Sequence, residues 1–582
     1  GAPRRPRQAP WWGAEARDAR TLELAEETIR GVVANAAPGG PRPAVLCFLP
    51  GLAEIRDLRD RLSKGDGKAL IWALPLHSTL PMQEQHRVFK PAPENKVKVI
   101  LGTNIAESSV TIDDITHVVD MGLQRALTYD AKLRMSSLDT VWISRSSADQ
   151  RRGRAGRVQA GQVFRLYSRD QLAAGAQQPV PEMQRCDLAQ ACLQAVAMGR
   201  DPRRFLAAAI DPPPVAAVEA AMEELTAIGA VVGTDPPGLL PVGEVLARLP
   251  LEPLLGRAAM LGTLLGLPEL AAALLVVAGG RSPFAQPFAQ VQDDATVESQ
   301  RGFCERSDVI AATKALVLWE EACSQQGEKA AAKWADGRSL VPAQLRALSR
   351  AKAHLLREMR RAGLLPSGPA HGGASLGGHA GASAGAPPPG ADAALAEAAG
   401  ADASALLEVS GELGGVLDAG GEDQDHNPFA ALALDASAEE RLAAVLCCAF
   451  PANLAVRRES ERAFRSKARS STLISPASVN FATEAQPPGG LWCLYSEMQV
   501  SGKRGYLQNS TLLEDWQVAI FGGLKSRDLG STSGLRIEFD SWLQVCGESE
   551  ATNRAVGDLR REVDDALSWQ AVAALADRGA GA

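Results

Sequence analysis

The sequence predicts a multidomain protein: an α/β domain with a parallel sheet, then a helical region, then a small β-barrel. Short apolar runs alternate with amphipathic stretches up to about residue 178, and strand–helix alternation of this kind builds parallel sheets. From about 181 the texture turns helical, and from 440 it shortens into strands set apart by Gly/Pro turns. A length of 582 residues with 46% apolar content supports several cores of ordinary domain size.

In order, residues 20–33 place Leu22, Leu24, Ala25, Ile29 and Val32 at helical spacing. Pro43 and Pro50 bracket Ala44-Val45-Leu46-Cys47-Phe48-Leu49, a continuous apolar run suited to a buried parallel strand. Leu52, Ile55, Leu58 and Leu62 then repeat three and four apart, which predicts a helix. Strand Ile71–Leu76 and helix Pro81–Phe89 form a second unit, and strands Val97–Leu101, His117–Asp120 and Val163–Tyr167 complete the sheet. Ligands of such sheets sit beyond the carboxyl ends of the strands, where Gly102-Thr103-Asn104 would lie. After the breaker Asp211-Pro212-Pro213-Pro214, Val215, Val218, Met222, Leu225 and Ile228 form one stripe. Residues 254–278 read as a buried helix pair and 341–362 as an amphipathic helix. Residues 366–435 are Gly/Ala/Pro/Ser-rich and read as a disordered insertion. Strands are expected at Ser471–Ile474, Leu491–Tyr495, Tyr506-Leu507 and Val518–Phe521, with a last helix at about 553–575.

No run of about 18 uninterrupted apolar residues occurs, so no membrane partner is expected. Nine scattered cysteines with no C-x-x-C pair argue against a zinc site or a disulfide framework. A net charge of −7 does not advertise a nucleic-acid binder, so any such role must rest on local patches. Residues 140–168 supply one: Arg145, Arg151, Arg152, Arg154, Arg157 and Arg165 face only Asp149. Within it, Gln150-Arg151-Arg152-Gly153-Arg154-Ala155-Gly156-Arg157 reads as a compact cationic surface. Its guanidiniums match phosphate oxygens, and its small residues let an anion come close. The plain alternative is a solvated basic loop.

The neighbourhood favours the phosphate. Gly102-Thr103-Asn104-Ile105-Ala106-Glu107-Ser108-Ser109-Val110-Thr111-Ile112-Asp113, followed at a distance by Gln150–Arg157, resembles motifs V and VI of the DEAH/RHA group of superfamily 2 helicases. Val45–Gly51 is similar to that group's motif IV, and Leu74-Pro75-Leu76-His77-Ser78 with Arg87–Pro93 to its intervening segment. Downstream, Pro181–Arg185, Asp211–Pro214, Leu249–Pro253, Arg281–Phe284, Ser307-Asp308, Trp319–Ala322, Ser475–Phe481 and Phe521–Gly523 also fit the group. The C-terminal part is most similar to the branch of G-quadruplex-resolving and ribosome-associated members.

The resemblance implies a domain order. Residues 1–19 are a linker, 20–178 a second RecA-like domain, 179–250 a winged helix and 251–365 a helical ratchet bundle. Residues 366–435 are the insertion, 436–525 a β-barrel OB-like domain and 526–582 a C-terminal extension with a helix.

It also implies roles. Arg154 and Arg157 are arginine fingers toward the γ-phosphate of ATP, with Gln150 placing that phosphate or the attacking water. Phe89 stacks on the adenine and Asp113 accepts from the ribose hydroxyls; by local pattern alone, Phe89 also reads as a core aromatic and Asp113 as a turn residue. Thr103 and Asn104 bond a nucleic-acid phosphate, cap the following helix, or do both. Residues 121–139, with Arg125, Lys132 and Arg134, are a β-hairpin wedge or simply an exposed polar hairpin. Lys503, Arg504 and Tyr506 interleave base and aromatic as single-strand binders do, or form a basic surface turn.

Two parts of a complete motor are missing from the sequence: a P-loop, G-x-x-x-x-G-K-[ST], and the tetrapeptide D-E-A-H. With Gly1 in place of Met and a Pro/Arg-rich start, the chain is expected to be the C-terminal part of an ATP-dependent RNA helicase, its first RecA-like domain lying upstream and holding Mg²⁺. The parent would move 3′ to 5′ on RNA, single-stranded, structured or G-quadruplex, and this piece alone would not hydrolyse ATP. The alternative is a non-catalytic RNA-binding or ribosome-associated scaffold. A cytoplasmic or nuclear location is expected, with an organellar one left open.

Overall fold

The computed structural model describes residues 14–36, 42–64, 70–78, 80, 82–108, 112–130, 135–156, 160–233, 235–285, 294–366, 436–458, 461–481, 491–501, 504–524, 526–528, 536–540, 542–546 and 550–579. The expected insertion, apart from Pro366, and the expected linker up to residue 13 lie outside these.

The first part runs α1 (Ala14–Ala34), β1 (Ala44–Phe48), α2 (Leu52–Leu62), β2 (Ile71–Leu76), α3 (Met82–His86), β3 (Val97–Gly102), α4 (Ile105–Ser108), β4 (His117–Asp120), β5 (Leu123–Asp130), β6 (Met135–Trp142), α5 (Arg145–Arg152) and β7 (Gln162–Arg165). A 3₁₀ turn, Arg87–Phe89, extends α3. β2, β3, β1, β4 and β7 form one parallel sheet in that order. Successive strand residues point to opposite faces, and β1 shows the consequence. Val45 and Cys47 join Ile29 of α1 and Ile55 and Leu58 of α2 in one buried cluster. Ala44, Leu46 and Phe48 join a second cluster with Val88, Ala106, Ile112 and Ala155. Helices therefore cover one face, and the segments singled out for their chemistry cover the other.

The helical region follows. Helices Pro253–Leu264, Pro268–Gly279 and Pro342–Arg361 each open on a proline, where the missing N–H costs nothing. The pair expected over 254–278 packs closely: a Cβ added to Gly262 would meet Ala271 Cβ at 2.2 Å. One hydrophobic core runs from Leu188 to Ala574 and includes Leu567 and Ala571 of the C-terminal helix Glu550–Gly579.

The β-rich part holds two corrections. The run Val518–Phe521, expected as a strand, belongs to the helix Asp515–Phe521, which a reciprocal capping box between Glu514 and Gln517 starts. The hairpin β5–β6 is not a free projection. β6 pairs with the strand Glu497–Ser501, joining Met498 to Ser137 and Gln499 to Leu138. The five-stranded sheet so formed also contains Thr472–Ile474 and Arg504–Gln508.

Asp308 fastens the helical region to this β-rich part. Its fully buried carboxylate accepts from Val479 N at 2.9 Å and Ser510 N at 2.8 Å, while Asp308 N donates to Ser510 O. Burial pushes its carboxyl up to about 6, against the lowering pull of those donors. A raised carboxyl pKa means that the folded state holds a proton the unfolded chain has released, so the joint strengthens as pH falls through 6. The gap in unfolding free energy between the wild type and Asp308→Ala, from urea titrations, is therefore expected to be wider at pH 5 than at pH 7, by about 1 kcal/mol. An equal or narrower gap at pH 5 would contradict it.

Candidate functional site

The expected cationic surface is divided by the structure. Arg151, read from sequence as one of four surface guanidiniums, is fully buried. Its Nε donates to Glu107 Oε2 at 3.1 Å, and its Nη1 to Asp120 Oδ1 at 2.8 Å and to Leu123 O at 3.3 Å. Its carbon Cζ lies 4.7 Å from the centre of the Phe48 ring. Asp120, at the end of β4, also accepts from Gly122 N at 2.9 Å and from the Tyr167 hydroxyl at 2.8 Å. Burial and then the Asp120 charge raise the Tyr167 phenol, keeping it a donor. A guanidinium leaves water only when such acceptors meet it. The cluster joins four separate segments, those carrying Glu107, Asp120, Arg151 and Tyr167.

With Arg151 turned inward, its neighbours on α5 are left outside. Gln150 is exposed in the last turn, Arg152 is mostly exposed beside Asp149, and Arg154 is half-buried in the turn after the helix. Ser144 caps the start of α5 by accepting from Ser147 N. A Cβ added at Gly156 would meet nothing within 4 Å, so the space beside this turn is open. Arg157 lies outside the described residues.

Phe89 and Asp113 reach the same region. Phe89 is 53% exposed, against its plain alternative as a core aromatic; the adjacent Val88 takes the core position instead. Asp113 is exposed in a turn. Val88, Ile112 and Ala155, the chain neighbours of Phe89, Asp113 and Arg154, all belong to the buried cluster on this face of the sheet. A residue that sequence reasoning passed over, Lys98, ties two of these segments: its buried Nζ donates to Asp114 and to Lys90 O. The available signal was a lysine inside the apolar run Val97–Leu101.

Thr103 is buried at the end of β3, and Asn104 beside it is exposed. Their carbonyls accept from Ala106 N and Glu107 N, so this turn starts α4. Arg125 lies on β5, where it pairs with Glu54 at 3.4 Å. Its guanidinium fills the space a side chain at Gly51 would need, 2.7 Å from the added Cβ. Burial, then Arg125, Arg281 and Arg56, push His77 nearby down to about 4, so it is neutral at ordinary pH. Tyr506 is half-buried on Arg504–Gln508, in the sheet shared with the hairpin. The backbone of Arg504 is in that strand; Lys132, Arg134 and Lys503 lie outside the described residues. Among the described residues no group of three or more His, Cys, Asp or Glu could hold a metal ion. None of the described helices is long and apolar enough to cross a membrane.

Residues 41–159, which carry the parallel sheet and α5, match the family model of the helicase conserved C-terminal domain. That match identifies a helicase C-terminal domain in this stretch, with Arg151 and Arg152 in the last turn of α5 and Arg154 in the turn beyond it. More particularly, the chain is similar to DExH/DEAH-box ATP-dependent RNA helicases over about half its length. It is 37% identical over 330 residues to the DExH-box ATP-dependent RNA helicase DExH1 of Arabidopsis thaliana, covering 55% of this chain and 32% of that protein. It is 35% identical over 318 residues to the ATP-dependent RNA helicase DHX30 of Gallus gallus, covering 53% and 25%. It is 39% identical over 274 residues to the probable ATP-dependent RNA helicase DHX34 of Mus musculus, covering 46% and 24%. The chain thus spans about a quarter to a third of the length of these relatives. The resemblance carried by the motifs is shown to this extent.

Replacing Arg151 by Met would fill the volume and take the counter-charge from Asp120 and Glu107, each nearly buried. Arg151→Met is expected to lower unfolding stability by roughly 3–5 kcal/mol in urea titrations. A loss below about 1 kcal/mol would show that the ion cluster does not hold the site together.

Proposed function

We propose that this chain is part of an ATP-dependent RNA helicase and forms one side of its nucleotide site. Gln150 and Arg154, with Arg157, face the γ-phosphate; Phe89 takes the base and Asp113 the ribose. The observation that supports this best is that Val88, Ile112 and Ala155, the chain neighbours of Phe89, Asp113 and Arg154, all pack into the buried cluster on one face of the sheet, while Phe89 and Asp113 stay exposed.

An arginine beside the transferring phosphoryl group stabilises charge that appears only in the transition state, an effect worth on the order of 10³–10⁵ in rate elsewhere. The other side of the site needs a P-loop and an acidic metal-holding motif, and neither G-x-x-x-x-G-K-[ST] nor D-E-A-H occurs in this sequence. A second RecA-like domain would supply them together with Mg²⁺, and the chain alone does not turn over ATP. RNA runs past Asn104 and Thr103, with Arg125, Lys503, Arg504 and Tyr506 as further contacts, and movement is 3′ to 5′. The later regions then serve as winged helix (179–250), ratchet (251–365) and OB-like domain (436–525). A scaffold without catalysis would leave the exposed Gln150 and the open turn at Gly156 without a task.

The test joins a P-loop-bearing RecA-like domain ahead of the chain and measures RNA-stimulated ATP turnover. Arg154→Ala is expected to lower kcat at least about 100-fold with KM for ATP largely kept. Turnover equal to the unmutated fusion would remove Arg154 from the phosphate.

A further inference from the structure

Lys98 is 1% exposed near the start of β3, in a strand whose six residues are all buried. A lysine ammonium carries three donors and holds water strongly, so full burial needs specific acceptors. Nζ finds Asp114 Oδ2 at 2.8 Å, Asp114 Oδ1 at 3.0 Å and Lys90 O at 3.1 Å. These acceptors sit on two segments that the chain itself keeps apart. Lys90 directly follows Phe89, and Asp114 directly follows Asp113. On the other side of the same two residues, Val88 and Ile112 are held in one buried cluster. Phe89 and Asp113 are thus each clamped between a core residue and a partner of Lys98, while their own side chains stay open to solvent.

Stability alone does not call for a charge here. The Asp114 side chain is 47% exposed, so it does not need a buried partner. An apolar side chain of similar length would fill the strand position, and the Asp114 carboxylate left behind would keep its contact with water. What only the ammonium does is join the two segments.

We propose that Lys98 is a positioning residue for a bound nucleoside. It fixes the distance between the Phe89 ring and the Asp113 carboxylate, and so decides whether a base stacked on Phe89 brings its ribose hydroxyls within reach of Asp113. This rests on the nucleotide reading above and adds to it the residue that sets ribose recognition.

Two probes separate stacking from ribose contact: adenosine 5′-monophosphate and its 2′,3′-dideoxy analogue. Neither carries a γ-phosphate, so binding to the whole chain, followed by saturation-transfer NMR, reports the nucleoside contacts apart from the arginines. The unmutated chain is expected to prefer the ribonucleotide by about tenfold to a hundredfold, the worth of one hydrogen bond to a charged acceptor. In Lys98→Met that preference falls to near unity while stacking still binds both probes and the melting temperature stays close to the original. Asp114→Asn loosens the same clamp from its exposed side and is expected to give an intermediate preference, which keeps the test open should Lys98→Met fold poorly. A preference undiminished in Lys98→Met, or in Asp114→Asn where the first variant is unfolded, overturns the role of Lys98 and leaves the nucleoside site standing. No binding of either probe to the unmutated chain, or binding unaffected by Phe89→Ala, overturns the nucleoside site and Lys98 with it.

Discussion

A guanidinium withdrawn from water costs stability unless acceptors meet it. Arg151 is fully buried, with Nε on Glu107, Nη1 on Asp120 and the carbonyl of Leu123, and the Phe48 ring across its face, while its Nη2 has no partner among the described residues. Asp120 is held in turn by Gly122 N and Tyr167. Because Arg151 cannot rotate outward without taking the counter-charge from two nearly buried carboxylates, the orientation of α5 about its own axis is set. That orientation decides that Gln150 faces solvent and that Arg154 emerges in the turn beyond. One arginine is structural so that its neighbours can be chemical. Glu107 brings the Thr103-Asn104 turn into the same arrangement, since it belongs to the short helix that this turn starts.

The sheet distributes the remaining work by its alternation. One face is covered by α1 and α2 and does nothing but pack. The other receives Val88, Ile112 and Ala155, each the immediate chain neighbour of a residue proposed to meet nucleotide. Lys98 reaches out from that sheet to Lys90 and Asp114. The hairpin β5–β6 extends the order further, because β6 continues into the strands of the β-rich part. Tyr506 and Arg125 therefore stand on one continuous sheet, although the sequence places them in regions far apart.

Much of this was legible in the sequence. The parallel strands, the helix pair after 253 and the long last helix announce themselves through apolar runs and spacing, which are local properties. The motif VI octet was legible as a unit but not residue by residue. Four arginines in eight residues look alike in sequence, and only the partners Glu107 and Asp120, from two distant segments, distinguish Arg151. Lys98 was missed for the same reason, since its acceptors come from the loop after α3 and the turn before β4. The run Val518–Phe521 failed differently. Its apolar composition suits a strand, and the capping box that makes it a helix lies just ahead of it, at Glu514 and Gln517. The pairing of β6 with Glu497–Ser501 has no local signature, because a sheet edge does not record which strand will meet it.

The central claim is that the end of α5 presents its arginine to a transferring phosphoryl group. With a P-loop-bearing domain joined ahead of the chain, the most direct measurement compares the affinity for ADP with that for ADP plus aluminium fluoride, which mimics that group in flight. Tight binding of the mimic over ADP is expected in the unmutated fusion, and in Arg154→Ala the advantage is expected to vanish while ADP affinity stays the same. An Arg154→Ala fusion that still prefers the mimic to the same degree would mean that the arginine does not touch the phosphate.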